Sequence, residues 1–181
     1  MKKIRFGVIG CGSIANEYHL PALRRVEGAQ LVWACDLIEE RAQKAKDDFG
    51  FEKYTLDYHD ILNDSSIDAV CIFTKIEMHA TLCIEAAAAG KHIFSQKPFA
   101  YNIEEGRKII RAVDEAGVKL TPSFMHSYMD GSIAARRIVE EGKIGEIRHI
   151  RMRNATKNPF DSAPGYGLSL IHISEPTRLA L

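Results

Sequence analysis

Ile4-Arg5-Phe6-Gly7-Val8-Ile9-Gly10-Cys11-Gly12-Ser13-Ile14-Ala15 is the stretch that decides how this chain is read. An apolar run over 4–9 opens into a glycine turn, and a second apolar run, 31–35, ends on Asp36. The order is strand, glycine turn, helix, strand, acid, which is the order a dinucleotide-binding unit requires. Gly10 lets the chain turn sharply off the strand. Gly12 has no side chain, so a pyrophosphate can approach the backbone. Ala15 is small enough for helix and strand to pack closely. The helix start at Ser13 and Ile14 offers free N–H groups to phosphate. Asp36 sits where a carboxylate accepts hydrogen bonds from both hydroxyls of a ribose.

Asp36 also bears on the choice of cofactor. A carboxylate pairs with a 2′-hydroxyl and repels a 2′-phosphate. Leu37 and Ile38 follow it and carry no charge, and Arg41, a turn further on, is expected to face solvent. NAD is therefore expected in preference to NADP.

The bulk composition narrows the class. Lys plus Arg number 24 and Asp plus Glu 24, so the net charge is zero and nothing favours a nucleic acid or a membrane as partner through charge. Hydrophobic residues make up 46%, enough for a globular core. The length of 181 residues suits one domain and accommodates two poorly. Cys11, Cys35, Cys71 and Cys83 form no C-x-x-C pair, and three of them fall on or beside expected buried strands. That pattern implies core packing in a reducing compartment, hence a cytoplasmic location. No metal-ligand set is expected. Met1-Lys2-Lys3 ahead of apolar residues resembles a signal peptide only faintly. Arg5 and three glycines interrupt the run, so it reads as the first strand and helix. No run is long and apolar enough to span a bilayer.

Along the chain, helices are expected over 13–19, 38–49 (capped by Gly50), 78–89 (capped by Gly90) and 103–116 (stopped by Gly117). Pro21 can start a further turn, and Asn102-Ile103-Glu104-Glu105 resembles a capping box. Strands are expected over 53–55, 69–73, 92–95 and 119–124, the last near a sheet edge because of Pro122. Alternating strands and helices imply an α/β fold: a Rossmann-type, doubly wound parallel sheet, covered on both faces, over residues 1–124. Ligands of such sheets bind at the carboxyl ends of the strands. That directs attention to residues 10–14, Asp36, 74–79, 96–98 and 124–126. Beyond this the pattern changes. Residues 132–141 read as an amphipathic helix and 146–154 as a strand in need of partners. Residues 125–167 thus look like the truncated start of an α+β second domain.

Four segments carry a resemblance. Residues 7–15, Ala89-Gly90-Lys91-His92 and Gln96-Lys97-Pro98 look like the glucose–fructose oxidoreductase/inositol dehydrogenase family (Gfo/Idh/MocA). Glu140-Glu141-Gly142-Lys143-Ile144-Gly145-Glu146-Ile147 is similar to the way that family opens its second domain. The resemblance covers residues 2 to about 160. It implies an NAD(P)-dependent oxidoreductase that moves hydride between a nicotinamide and a sugar, inositol or related polyol. It also implies an open antiparallel second sheet and a parent protein that is a homo-oligomer.

By the same resemblance, Lys97 is the catalytic residue, hydrogen-bonding the reacting oxygen and favouring a developing alkoxide. A surface lysine on a loop is the alternative. The cofactor set would be Gly10, Cys11, Gly12, Ser13, Ile14, Asp36, Thr74, His79, Gln96 and Lys97. Two departures stand out. Gln96 replaces the family's glutamate in Glu-Lys-Pro, and Thr74-Lys75-Ile76 replaces Thr-Pro-Asn. His79 either contacts cofactor or caps a helix start. His126 either touches substrate or is a structural histidine. The bond before Pro98 is open to either isomer. Gln96 leaves a second reading, a non-catalytic nucleotide-binding or regulatory module; an interaction domain that uses the fold without cofactor is a third.

The family's Asp-x-x-x-His motif, whose histidine serves as general acid/base, is not found after Asn154; Asp161 is followed by Gly165. Residues 168–181, LSLIHISEPTRLAL, resemble translated sequencing-adapter read-through, and native sequence is expected to end between Tyr166 and Leu168. On that reading His172 and Glu175 have no function. The first domain is expected to fold alone, with weak NAD binding and no turnover.

Overall fold

Six short segments become six parallel strands. In the computed structural model, which describes residues 3–151, these are β1 (Ile4–Ile9), β2 (Ala29–Cys35), β3 (Lys53–Thr55), β4 (Ala69–Ile72), β5 (His92–Ser95) and β6 (Leu120–Pro122). They form one sheet in the order β3-β2-β1-β4-β5-β6, every neighbouring pair parallel. The chain winds outward from β1 to β3, then returns to lay β4 on the other side of β1. That reversal opens a crevice at the carboxyl ends of β1 and β4. The doubly wound Rossmann-type sheet expected from the sequence is the one observed.

Both faces of the sheet are covered, because alternate residues of each strand point to opposite layers. Val8, Ala34 and Cys71 pack on one side with Ala15, Leu20, Ala45 and Phe51. Ile9, Cys35, Val70 and Ile72 pack on the other with Ile61, Leu82, Ala86, Ile109 and Val113. The first layer is supplied by α1 (residues 13–23, π-wound over Ala15–His19 and α-helical over Leu20–Leu23) and by α2 (Glu39–Phe49). The second is supplied by α3 (His59–Asn63), α4 (His79–Ala88) and α5 (Ile103–Ala116). A register shift between Phe6 and Gly7 leaves Val32 unopposed, so Val32 and the next residue, Trp33, both reach the second layer. Gly7 lets α3 approach β1 closely; a β-carbon there would overlap Ile61 Cγ2.

Local signals place most element ends. Asn102 caps α5, its side chain accepting the Glu105 N–H at 2.8 Å, and Glu105 Oε2 reaches back to Tyr101 N at 3.3 Å. Pro122 ends the edge strand β6, which is shorter than the expected 119–124. The helix expected from residue 38 begins at Glu39, because Asp36 Oδ1 accepts the Ile38 N–H at 3.0 Å and holds Ile38 extended. The helix α3 was not expected. Its five residues are too few to show a period, and it is started by Asp57, whose Oδ1 accepts the His59 N–H at 2.9 Å.

The chain divides after Ser123. In the second unit a 3-10 turn (Met125–Tyr128) precedes α6 (Asp130–Glu140). The strand expected over 146–154 is not formed over 146–151, where the backbone is irregular and Ile147 and Ile150 are exposed. A strand is defined by its ladder, and among the described residues no neighbour offers one. The remainder of that strand, Asp161 and the expected adapter-like segment 168–181 lie outside the described residues. Among the described residues, no helix is long and apolar enough to cross a membrane.

Candidate nucleotide-binding site

The turn after β1 hangs from the end of β2. Gly10 adopts φ +97° and donates its N–H to Cys35 O at 2.8 Å; a β-carbon there would lie 2.6 Å from Phe73 O. The next N–H, that of Cys11, goes to Asp36 Oδ2 at 2.9 Å. Asp36 therefore uses each carboxylate oxygen once, for Cys11 and for Ile38, and each oxygen keeps a second lone pair. The Cys11 side chain turns inward, fully buried, with Sγ 3.5 Å from Cys35 O.

Beyond Cys11 the loop is open. A β-carbon on Gly12 would meet nothing within 4 Å. The first helical bond of α1 runs from Asn16 N–H to Gly12 O at 3.0 Å, which leaves the N–H groups of Gly12, Ser13 and Ile14 without helical acceptors. Asn16 adds a bond from Nδ2 to Cys11 O at 2.5 Å and another to Gly12 O at 2.8 Å. The Cys11 and Gly12 carbonyls are thus occupied while the N–H groups of Gly12, Ser13 and Ile14 are not, a one-sided donor set suited to an anion.

The other strand ends are tied together by two histidines. His79, first residue of α4, has no exposed surface. Its Nδ1 lies 2.8 Å from Pro98 O and its Nε2 3.2 Å from Thr74 O. A ring in that position links the loop after β4 to the loop after β5 from beneath. The expected cofactor contact from the His79 side chain, and its alternative as a helix cap, are both replaced by this buried bridge. Cys11 is corrected likewise: its N–H is spent on Asp36 and its thiol on the core, so it shapes the loop. Thr74 is half-buried, its hydroxyl donating locally to Lys75 O at 3.3 Å.

Gln96 and Lys97 follow β5. Gln96 N–H donates to Ile72 O at 2.9 Å, Gln96 Oε1 accepts the Lys97 N–H at 2.7 Å, and the Lys97–Pro98 peptide is cis. Lys97 is half-buried, and among the described residues its ammonium has neither ion pair nor hydrogen bond. Gln96 Nε2 lies 2.8 Å from Nε2 of His19, whose ring stacks on Phe73 with centroids 4.2 Å apart. His19 and Asn16 were missed from the sequence. Asn16 had a cue, an amide in the first turn after the glycine loop. His19 had none, since its partner is 77 positions away.

Burial, with the nearby Asp36 carboxylate adding to it, pushes the Cys11 and Cys35 thiols up to about 12. Burial also lowers His19 below the ordinary imidazole value. His126 belongs to the second unit, is exposed, and has Nδ1 3.3 Å from Met129 Sδ. A hollow of about 320 Å³, lined by Arg24, Gln30, Leu31, Phe49 and Glu52, lies where β2 begins, at the opposite end of the sheet from the loop. Among the described residues no cluster of three or more His, Cys, Asp or Glu is placed to hold a metal ion.

Comparison with known proteins agrees with this geometry. Residues 4–124 match the profile of the oxidoreductase family with an NAD-binding Rossmann fold, GFO_IDH_MocA. The chain is 31% identical over 165 residues to the inositol 2-dehydrogenase of Salmonella paratyphi B, covering 89% of this chain and 49% of that protein. The scyllo-inositol dehydrogenase of Lactobacillus casei, solved with NAD(H) and scyllo-inositol, superposes with a TM-score of 0.74 at 28% identity, over 80% of this chain and 43% of that one. A 3-ketoreductase from Actinomadura kijaniata, solved with NADP and TDP-benzene, gives 0.73 at 29% identity, over 82% and 45%. The chain spans about half the length of the curated relatives it matches.

Proposed function

We propose, on the premise that this chain belongs to the Gfo/Idh/MocA oxidoreductase family, that its glycine loop binds NAD and that its full-length form oxidises a secondary alcohol of inositol or a related polyol. The observation that carries the reading is Asp36. It holds the loop through Cys11 N–H and keeps unused lone pairs at the mouth of an open, donor-lined turn. A ribose diol fits those acceptors and a pyrophosphate fits the free N–H groups of Gly12, Ser13 and Ile14.

NAD is favoured over NADP for three reasons. Asp36 repels a 2′-phosphate, Leu37 beside it is 89% exposed and uncharged, and Glu39 and Glu40 open α2 with two further negative charges. When bound, NAD supplies a hydride acceptor at C4 of its nicotinamide. The chain's own contribution there is Lys97, whose unpaired ammonium hydrogen-bonds the substrate oxygen and favours the alkoxide. Gln96 orients Lys97 by accepting its N–H. Four free, buried cysteines suit a reducing compartment such as the cytoplasm.

A second reading, a nucleotide-binding module without turnover, is favoured by Gln96 in place of glutamate. Dehydrogenation of a polyol by the full-length protein, abolished by Lys97→Ala, separates the two. For the cofactor, fluorescence titration of this chain with NADH and NADPH is the test. NADH is expected to bind, and NADPH at least ~10-fold more weakly. Equal affinities overturn the NAD preference, and no binding of either by a folded sample overturns the site.

A further inference from the structure

Gln96 meets two partners at once, and only one orientation of its amide satisfies both. Oε1 lies 2.7 Å from Lys97 N, and Nε2 lies 2.8 Å from His19 Nε2. A backbone N–H can only donate, so the amide oxygen has to face Lys97. The amide NH2 then faces His19, and the ring nitrogen there has to accept. A nitrogen that accepts carries no proton, so the imidazole is neutral with its proton on Nδ1. The ring is held for this task by Phe73, stacked at 4.2 Å and 9°, and by Phe94, edge-on at 5.6 Å and 75°. None of these three partners, the two rings and the Gln96 amide, titrates. Burial is what lowers its proton affinity.

We propose that His19 is a positioning residue for Lys97: its unprotonated Nε2 orients the Gln96 amide, and the amide oxygen in turn holds the Lys97 N–H. The functional part of this rests on the reading of Lys97 as the group that meets the substrate oxygen. Protonating His19 sets an N–H against the amide NH2. Turning the amide over moves that clash to the Lys97 N–H, so one donor–donor contact remains in either orientation. The loop carrying Lys97 therefore loosens in acid. Glutamate at position 96 would reverse the logic. A carboxylate accepts from Lys97 N–H and from a protonated His19 Nε2 together. Gln96 is thus matched to a neutral histidine, and the departure from Glu-Lys-Pro exchanges one hydrogen-bond polarity for the other.

Nitrogen-15 NMR of the whole chain, labelled at histidine, tests this. His19 is expected as the Nδ1-protonated tautomer at neutral pH. Protection of the Lys97 amide against exchange, corrected for intrinsic rate, is expected to fall roughly tenfold as His19 titrates in acid. His19→Gln, which restores an acceptor oxygen, keeps the protection and removes its acid step. His19→Phe, which keeps the stack and loses the acceptor, lowers protection at every pH. Gln96→Glu raises the pH at which His19 titrates. A protonated Nε2 in the neutral wild-type chain overturns the proposal, as does undiminished Lys97 protection in His19→Phe. Should the variants not fold, the wild-type tautomer and acid titration decide alone. Loss of NADH binding with the tautomer as expected would count against the nucleotide site instead.

Discussion

Asp36 Oδ2 accepts the N–H of Cys11 at 2.9 Å, a bond spanning 25 residues of sequence. It joins the first residue after β2 to the turn after β1. One carboxylate therefore both shapes the glycine loop and stands at its mouth. Asp36→Ala removes both contributions and is expected to weaken NADH binding by more than ~10-fold. Asp36→Asn retains an oxygen for Cys11 N–H, loses the charge, and also gives up the bond from Ile38 N–H, which then faces the amide NH2. It is expected to keep the fold while narrowing the gap between NADH and NADPH. Titration of both variants with both nucleotides checks this, and unchanged NADH affinity in Asp36→Ala would remove Asp36 from the site.

The two loop glycines are expected to fail in different ways. Gly10 has φ +97°, and a β-carbon would press on Phe73 O at 2.6 Å. Gly10→Ala should cost roughly 2–4 kcal/mol of stability. Gly12 faces open space, so Gly12→Ala should change stability by no more than about 0.5 kcal/mol. Its methyl group would stand where the pyrophosphate is proposed to lie, and NADH binding should be lost. Urea unfolding alongside nucleotide titration distinguishes loss of fold from loss of ligand.

Trp33 reports an acid transition. Its Nε1 donates to Asp64 Oδ2 at 2.8 Å, while Ser66 holds Oδ1 through its hydroxyl at 2.6 Å and its N–H at 2.9 Å. The Ser66 hydroxyl, followed by Trp33, lowers the Asp64 carboxyl from 3.8 to about 2. A carboxylate depressed in the folded state stabilises that state above its unfolded pKa. The stabilisation is lost as the pH falls through the folded value. The window here runs from 3.8 down to about 2. Trp33 is the single tryptophan, so its emission should shift in that window and not above it. Asp64→Asn should abolish the step, and a transition centred near 5 would contradict the assignment.

The thiols should be silent in the native chain. Cys11, Cys35, Cys71 and Cys83 are free and buried, and burial pushes each up to about 12. With so little thiolate, reaction with a disulfide reagent at pH 8 should be on the order of 10³-fold slower than for an exposed cysteine. Unfolding in guanidinium should release all four, as counted by absorbance. Rapid labelling of Cys11 in the folded chain, located by mass spectrometry, would show that the loop opens.

What could be read from residue order alone is what depends on neighbours in sequence. The apolar runs of β1, β2 and β4, the Asn102 cap, the proline at the sheet edge and the glycine turn all act within a few residues, so their spacing announces them. The doubly wound sheet follows, since alternating strands and helices have few ways to bury both faces. Gly10, Gly12 and Asp36 could be named as site residues on the same local grounds. The five-residue α3 left no period to detect, and the isolated strand expected near residue 150 had a plausible pattern without a partner.

Tertiary structure decided which polar groups meet, and with them the roles of His19, His79 and Cys11. His19 reaches Gln96 across 77 residues, and His79 reaches Pro98 across 19. Such pairings depend on how β4 and β5 are laid beside β1, which no local spacing encodes. Buried donors and acceptors must find partners somewhere, and only the folded chain shows where. Sequence therefore named the loop and the acid proposed to face the nucleotide. The fold assigned the histidines beneath them, because hydrogen bonds between strand ends exist only once the strands are side by side.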